Sequence, residues 1–326
     1  MHIKSLELEK LLKRIFNKEQ KVLTVKQLHG GAQKVVYKVA CLDGFTCILY
    51  VWDWSKNYVL GRAKNEKAKP IGQSYGAELF EYNFKYLQQL GIRVPNVYYI
   101  DRTQSSYSFD FAIVEDVGNI DLSAYIQANP ELKPFVLKKL ENMLKRIHKH
   151  SSEKYGQLNL VDRIEKQSLT CEQIVLNETL KDLDHLVGNV PSIAENKDRL
   201  TKVLYKLYGD LSPRRKYGLI HGELGPDHVR VDPEGNPILI DIEGCKFFDI
   251  EYEHAFLEFR FGEHYRYIRN DELDPNRMLF YKFHLHISYS SGPIKIIEGG
   301  FPDADFIRDI VDYNVKATLG FLNNEN

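Results

Sequence analysis

The chain carries almost no net charge. Lys and Arg number 44 against 45 Asp and Glu, a formal charge of −1 over 326 residues. No bulk positive field is present to draw nucleic acid or an anionic membrane surface, and neither partner is expected. Cysteine is scarce: Cys41, Cys47, Cys171 and Cys245, none in a CxxC pair. That speaks against a zinc site or a disulfide framework and makes a reducing cytoplasm the default location. No run approaches the roughly 18 uncharged apolar residues of a membrane span. The opening MHIKSLELEKLLKRIF reads as an amphipathic helix; it lacks the apolar run and small-residue cleavage site of a secretory signal. Internal repeats, low-complexity tracts and metal spacings such as HExxH are also missing. What is there, 43% hydrophobic and 27% charged residues, suits a soluble globular protein with one large core or two smaller ones.

Periodicity divides the chain. Leu6 to Phe16 has helical spacing. From Val22 to Trp54 the pattern is short strands, including Val35 to Ala40 and Cys47 to Trp52 across an Asp43-Gly44 turn. Ser55 to Tyr75 is polar and reads as a loop. Glu78 to Leu90 is helical and stops at Gly91; Pro95 to Ile100 and Phe109 to Glu115 form a further strand pair. The first part is therefore β-β-β-α-β-β. After Asp116-Val117-Gly118-Asn119 the texture turns helical: Leu122 to Ala128, Pro134 to His150, Cys171 to Leu186, Ile193 to Leu207, Tyr252 to Phe261, Arg277 to Ser288 and Asp303 to Leu322. This predicts two lobes, residues 1–117 and 118–326.

The helical part is interrupted by His221 to Gly244, HGELGPDHVRVDPEGNPILIDIEG. Two short strands, Val229 to Val231 and Ile238 to Ile240, flank a turn at Pro233, Gly235 and Asn236. Glu223 and His228 stand at one mouth of this hairpin and Asp241 at the other. Acids delivered by two paired strands suit a divalent metal and a proton acceptor. A surface turn with solvated acids is the plain alternative.

With this hairpin between a β lobe and a helical lobe, the chain resembles the aminoglycoside phosphotransferase family, relatives of the protein kinases. The family pattern His-Gly-Asp-Leu-x-Pro-x-Asn is met by His221-Gly222-Glu223-Leu224-Gly225-Pro226-Asp227-His228, and its strand ending in Ile-Asp by Leu239-Ile240-Asp241. Two residues depart from it, Glu223 for Asp and His228 for Asn. The wording HGELGPDH is similar to that of phosphotransferases acting on tuberactinomycin antibiotics such as viomycin and capreomycin. The resemblance implies an α+β, bilobal protein-kinase-like fold, with a small antiparallel β lobe carrying one helix and a larger, mainly helical lobe.

It also implies roles. Glu223 would orient or deprotonate a substrate hydroxyl. Asp241 would hold Mg2+, with His228 a softer second ligand. His221 and Glu253 would brace the catalytic loop. ATP or GTP would be the co-substrate. Gly30 and Gly31 would approach its phosphates, and Glu115 to Val117 would be the hinge that meets its base. By alignment of apolar positions, the lysine expected on the third strand is Tyr50. A cation from Lys34, Lys56 or Arg62 would then have to replace it, while Glu81, or Glu78 one turn earlier, stands where the partner acid belongs. The acceptor would be a small hydroxylated molecule, an antibiotic of the aminoglycoside or tuberactinomycin kind. Glu251, Glu258, Glu263, Asp271, Glu272 and Asp274 suit a cationic acceptor, and equally an ordinary solvated surface. Two other readings stay open: a pseudokinase-like nucleotide-binding module without transfer activity, and, more distantly, a metal hydrolase.

Overall fold

The structure is a computed structural model that describes residues 2–28, 33–56, 75–298 and 304–324. In chain order the elements are α1 (Ser5–Phe16), β1 (Val22–Gln27), β2 (Val35–Cys41), β3 (Thr46–Trp52), α2 (Ala77–Gln89), β4 (Val97–Asp101), β5 (Asp110–Glu115), α3 (Leu122–Ala128) and α4 (Lys133–His148). There follow β6 (Ser151–Ser152), β7 (Gly156–Gln157), α5 (Cys171–Val187), α6 (Pro191–Gly209), β8 (Tyr217–Ile220), β9 (Val229–Val231), β10 (Pro237–Leu239), β11 (Lys246–Phe248), α7 (Ile250–Phe261), α8 (Pro275–Glu298) and α9 (Ala304–Gly320). They group into two compact units, Met1–Leu140 with Pro226–Gly244, and Glu141–Gly225 with Cys245–Asn326.

The first unit is built on a five-stranded antiparallel sheet in the order β1-β2-β3-β5-β4. Its central strand β3, TCILYVW, is buried along almost its whole length, because both faces of the sheet are covered there. On one face α1 lays Leu8 and Leu12 against Val39, Leu49, Val51 and Ile113. Each such leucine contributes on the order of 2 kcal/mol by leaving water. On the other face Tyr50 and Trp52 meet Phe80 of α2, with ring centroids 5.5 and 5.4 Å apart. The β9–β10 hairpin joins this unit through Leu239, whose N–H donates to the carbonyl of Arg93 at 3.0 Å. Its turn is closed by Asp232, which accepts from the Asn236 N–H at 2.7 Å. Gly235 there has φ +73, and a Cβ would come within 3.0 Å of the Tyr125 hydroxyl.

The second unit holds a feature that periodicity does not reveal, a four-stranded sheet in the order β6-β8-β11-β7. Its strands are two to four residues long, and β8 and β11 are buried throughout. Neither length nor alternation marks them out. Helix α7 packs on β8, Tyr281 of α8 meets Phe248 of β11, and α5, α6 and α9 pack on α8. The start of α7 is anchored by a buried charge network. The Asp249 carboxylate, fully buried, takes Arg277 and the Tyr281 hydroxyl. Arg277 also reaches Glu172 at 3.3 Å, and Arg214 pairs with Glu251 at 2.5 and 2.8 Å. Burial pushes the Asp249 carboxyl up, against the pull of Arg277 and Arg214. Helix α8 runs on to Glu298 through Pro293, past the expected stop at Ser288. The polar Ser290 and Ser291 of this stretch are buried, and Ser290 returns its hydroxyl to the carbonyl of His286.

All four cysteines are buried and none is in a disulfide. Among the described residues no helix is long and apolar enough to cross a membrane. The buried network yields a stability test. Arg277→Met removes the main partner of a buried carboxylate and should cost about 3–5 kcal/mol. Urea denaturation would read this, and a loss below about 1 kcal/mol would show that Asp249 finds its compensation elsewhere.

Candidate active site

The first unit contains a cavity of about 290 Å³. Leu28, Val36 and Ile48 line it on the sheet side, Val117 and Gly118 where the chain leaves β5, and Ile240 and Asp241 from the hairpin. At its inner end lies Lys34, one residue before β2 and only 8% exposed. Its ammonium donates to Asp241 Oδ1 and to Glu243 Oε1, both at 2.6 Å. Beneath it lies the Tyr50 ring, 5.0 Å from Nζ to centroid. Burial works against the charged lysine, but the two carboxylates outweigh it and raise its pKa above that of an exposed lysine. Burial also pushes Glu243 up, against the pull of Lys34.

Local backbone explains how both acids reach one cation. Asp241 sits at φ +59, a left-handed conformation that aspartate tolerates better than most residues. The turn Ile242–Gly244 then folds Glu243 back inward. Two donor groups fix it there through three hydrogen bonds. The Trp52 indole N–H reaches Glu243 Oε1 at 3.3 Å, and the Asn83 amide donates to the carbonyls of Ile242 and Glu243 at 2.8 and 3.2 Å. Asn83 is fully buried on α2, on the stripe of Leu79, Phe80 and Leu87. His228 Nε2 lies 3.5 Å from Asp241 Oδ2.

Two carboxylates against one ammonium leave a net negative charge, which suits a divalent cation. Among the described residues no group of three or more His, Cys, Asp or Glu side chains is placed to hold a metal alone. Asp241, 39% exposed at its side chain, fits magnesium, which is commonly held by one or two carboxylates together with phosphate oxygens. His228 is the poorer donor for so hard an ion.

In the second unit, β8 delivers the segment His221-Gly222-Glu223. The backbone N–H groups of His221 and Gly222 donate to Glu253 Oε1 at 2.6 and 3.1 Å. The other oxygen of Glu253 takes His148 Nε2 at 2.5 Å. Glu253 is wholly buried. Burial opposes its charge, but His148, the nearby His221 and the backbone donor outweigh that and hold its carboxyl below the usual range. Glu223 itself is exposed. Lys246 of β11, cross-strand partner of Ile220, is buried with its ammonium 5.6 Å from the Tyr252 ring centroid. Burial lowers its pKa, and the negative charge of Glu223 opposes that shift.

A profile of the phosphotransferase enzyme family matches residues 50–272. The chain belongs to this family. It is a phosphotransferase. No curated protein matches the sequence. Among solved structures it is similar to aminoglycoside phosphotransferase APH(4)-Ia, as a thermostable mutant in apo form, at 18% identity and a TM-score of 0.61, covering 95% of this chain and 98% of that one. Choline kinase LicA from Streptococcus pneumoniae is similar at 17% identity and 0.63, covering 96% and 99%. APH(2")-IIia, solved with GDP and kanamycin, is similar at 14% and 0.62, covering 98% and 100%. These likenesses establish the expected kinase-like α+β fold.

Within this phosphotransferase the residues singled out by sequence are placed as follows. Lys34 and Asp241 meet directly, with His228 beside Asp241. His221 meets Glu253 through its backbone. Val117 and Glu115 line the cavity, and the Glu115 carboxylate is taken by Arg93 at 2.5 Å and the Asn96 N–H at 2.9 Å. Glu81 is not brought to Lys34: it pairs with Lys85 at 2.6 Å and Arg102 at 3.2 Å. Glu78 likewise faces Arg102. Gly30, Gly31, Arg62 and the side chain of Lys56 lie outside the described residues. Sequence reasoning gave no role to Glu243, Asn83 or His148. Asn83 carried a readable signal, a polar residue on an otherwise apolar helical stripe. His148 carried none beyond its place at a helix end.

The Glu253 site has a definite pH signature. Its folded carboxyl lies below the unfolded value of 4.5. Its contribution to stability is therefore complete above about 4.5 and is lost as pH falls through the lower, folded value. Wild type should exceed Glu253→Gln in urea midpoint at pH 7, and the gap should narrow as pH falls below about 4.5. A gap that stayed constant through that fall would remove the charge from the account.

Proposed function

We propose that this enzyme moves the γ-phosphate of ATP or GTP to a hydroxyl of a small molecule. The observation that carries the reading is the buried Lys34 ammonium, held by Asp241 and Glu243 at the inner end of a cavity with apolar walls. A triphosphate brings several negative charges, and phosphoryl transfer asks the protein mainly to position groups and neutralise charge. Lys34 supplies the cation that the third strand lacks, since Tyr50 can offer one hydrogen bond but no charge. Residues 1–117 bind the nucleotide in this reading, and 118–326 serve catalysis and the acceptor. The base enters beside Val117 and Gly118. The Glu115 N–H is already donated to the carbonyl of Asn96 at 2.8 Å, so Val117 is the residue that offers backbone to it.

Magnesium, held by Asp241 with phosphate oxygens, would offset phosphate charge. Glu223 accepts the proton of the acceptor hydroxyl or orients that hydroxyl, and Glu253 fixes the loop that carries it. The acceptor is a small hydroxylated compound, with aminoglycosides and tuberactinomycins first to screen. APH(4)-Ia has been solved with AMP-PNP and hygromycin B, which supports an antibiotic of this size as the starting point.

The roles separate experimentally. Lys34→Ala should weaken nucleotide binding by calorimetry while Tyr50→Phe leaves it nearly unchanged. Asp241→Asn, which keeps a residue tolerant of φ +59, should abolish magnesium-dependent turnover. Glu223→Gln should cut single-turnover rates by about 10² to 10⁴ with little effect on nucleotide affinity. Full turnover in Glu223→Gln would exclude the proton-acceptor role. Unchanged affinity in Lys34→Ala would exclude the lysine from phosphate binding.

A further inference from the structure

Arg230 is a cavity residue that the reading above leaves unused. It lies in the middle of β9 between Val229 and Val231, both buried. Side chains alternate along a strand, so Arg230 projects to the opposite side, where it lines the cavity of the first unit. Its guanidinium makes one hydrogen bond, from Nη1 to the backbone carbonyl of Asn119 at 3.2 Å, and no ion pair among the described residues. Arginine has five N–H donors in a planar fork. A half-buried guanidinium with one carbonyl for a partner keeps most of its binding capacity unspent. Of the carboxylates lining the cavity, Asp241 pairs with Lys34, Glu115 with Arg93, and Asp227 lies 3.7 Å from His228.

Its position within the cavity is informative. Asn119 follows directly on Val117 and Gly118, so the guanidinium is tied to that end and not to the Lys34 end. On the sheet side the cavity is walled by Leu28, Val36 and Ile48; on the hairpin side Arg230 stands with Ile240. A flat aromatic ring entering there would have the aliphatic side chains on one side and Arg230 on the other. Guanidinium stacks well on aromatic faces, by cation–π attraction and by flat contact, whereas an ammonium has no plane to offer.

We propose that Arg230 is the floor of the base subsite. Its guanidinium plane stacks on the purine face opposite Leu28, Val36 and Ile48, and it selects for an aromatic base and not for phosphate. The bond to Asn119 holds the plane in place while the base enters. This rests on the reading of the cavity as a nucleotide site.

Calorimetry on the full chain with adenosine, AMP and magnesium ATP, for wild type, Arg230→Ala and Arg230→Lys, tests it. The expected result is a loss of about tenfold in Arg230→Ala, the same for all three ligands and insensitive to salt, with Arg230→Lys no better than alanine. A loss that grows with the number of phosphates, or full restoration by lysine, would make Arg230 a phosphate cation and overturn the proposal. Unchanged affinity for all three ligands in both variants would overturn it as well. If the wild-type chain binds none of adenosine, ATP and GTP, the nucleotide reading itself fails and the proposal falls with it. Thermal melts of both variants report folding separately, and either folded variant alone decides the question.

Discussion

A buried ammonium must find counter-charge, and that requirement organises the first unit. Desolvating a lysine costs several kcal/mol unless close carboxylates and further hydrogen bonds offset it. Lys34 meets the condition with two acids at 2.6 Å and an aromatic face beneath. None of these partners comes from nearby sequence. The start of β2, the middle of β3, helix α2 and the far end of the hairpin must all arrive together for the charge to be tolerated. This is why Pro226–Gly244 belongs to the same compact unit as the N-terminal sheet, although some 85 residues of chain separate Leu140 from Pro226.

The second unit solves the mirror-image problem. There the buried charge is an anion, Glu253, and it is satisfied by two backbone N–H groups and an imidazole. One side chain thereby fixes the first two residues of the segment that carries Glu223. Glutamate, with one methylene more than aspartate, can reach both N–H groups with one oxygen and His148 with the other. Away from that point, the Asp249 network with Arg277, Arg214 and Tyr281 anchors the start of the same helix.

Much of this was legible in the sequence, and the rest was hidden for physical reasons. The order β-β-β-α-β-β, helix α3 and the hairpin follow from local periodicity and turn residues, which short windows contain. Lys34 could be nominated because an expected charge was missing at Tyr50. Its acid could not: Glu243 lies 209 residues away, and the helix acids Glu78 and Glu81 stood in the expected place. Their surroundings, Arg102 and Lys85, satisfy them on the surface instead. The sheet of the second unit escaped because its strands are only two to four residues long, and β8 and β11, buried throughout, leave no alternation to read. His148 escaped because its partner is 105 residues away and helix-end histidines are common.

The four cysteines, buried in both units, have a practical consequence. Burial raises the thiols of Cys41 and Cys171 and pushes Cys47 up to about 12. Thiolate, the reactive form, is therefore scarce in the native state, and a reagent must wait for the chain to open. The rate of alkylation at each cysteine becomes a clock for local opening of the element that holds it: Cys41 for β2, Cys47 for β3, Cys171 for the start of α5, and Cys245 for the turn before β11. The protein thus carries intrinsic reporters in both units. A single cysteine introduced on the surface could be labelled for spectroscopy without first removing the native four.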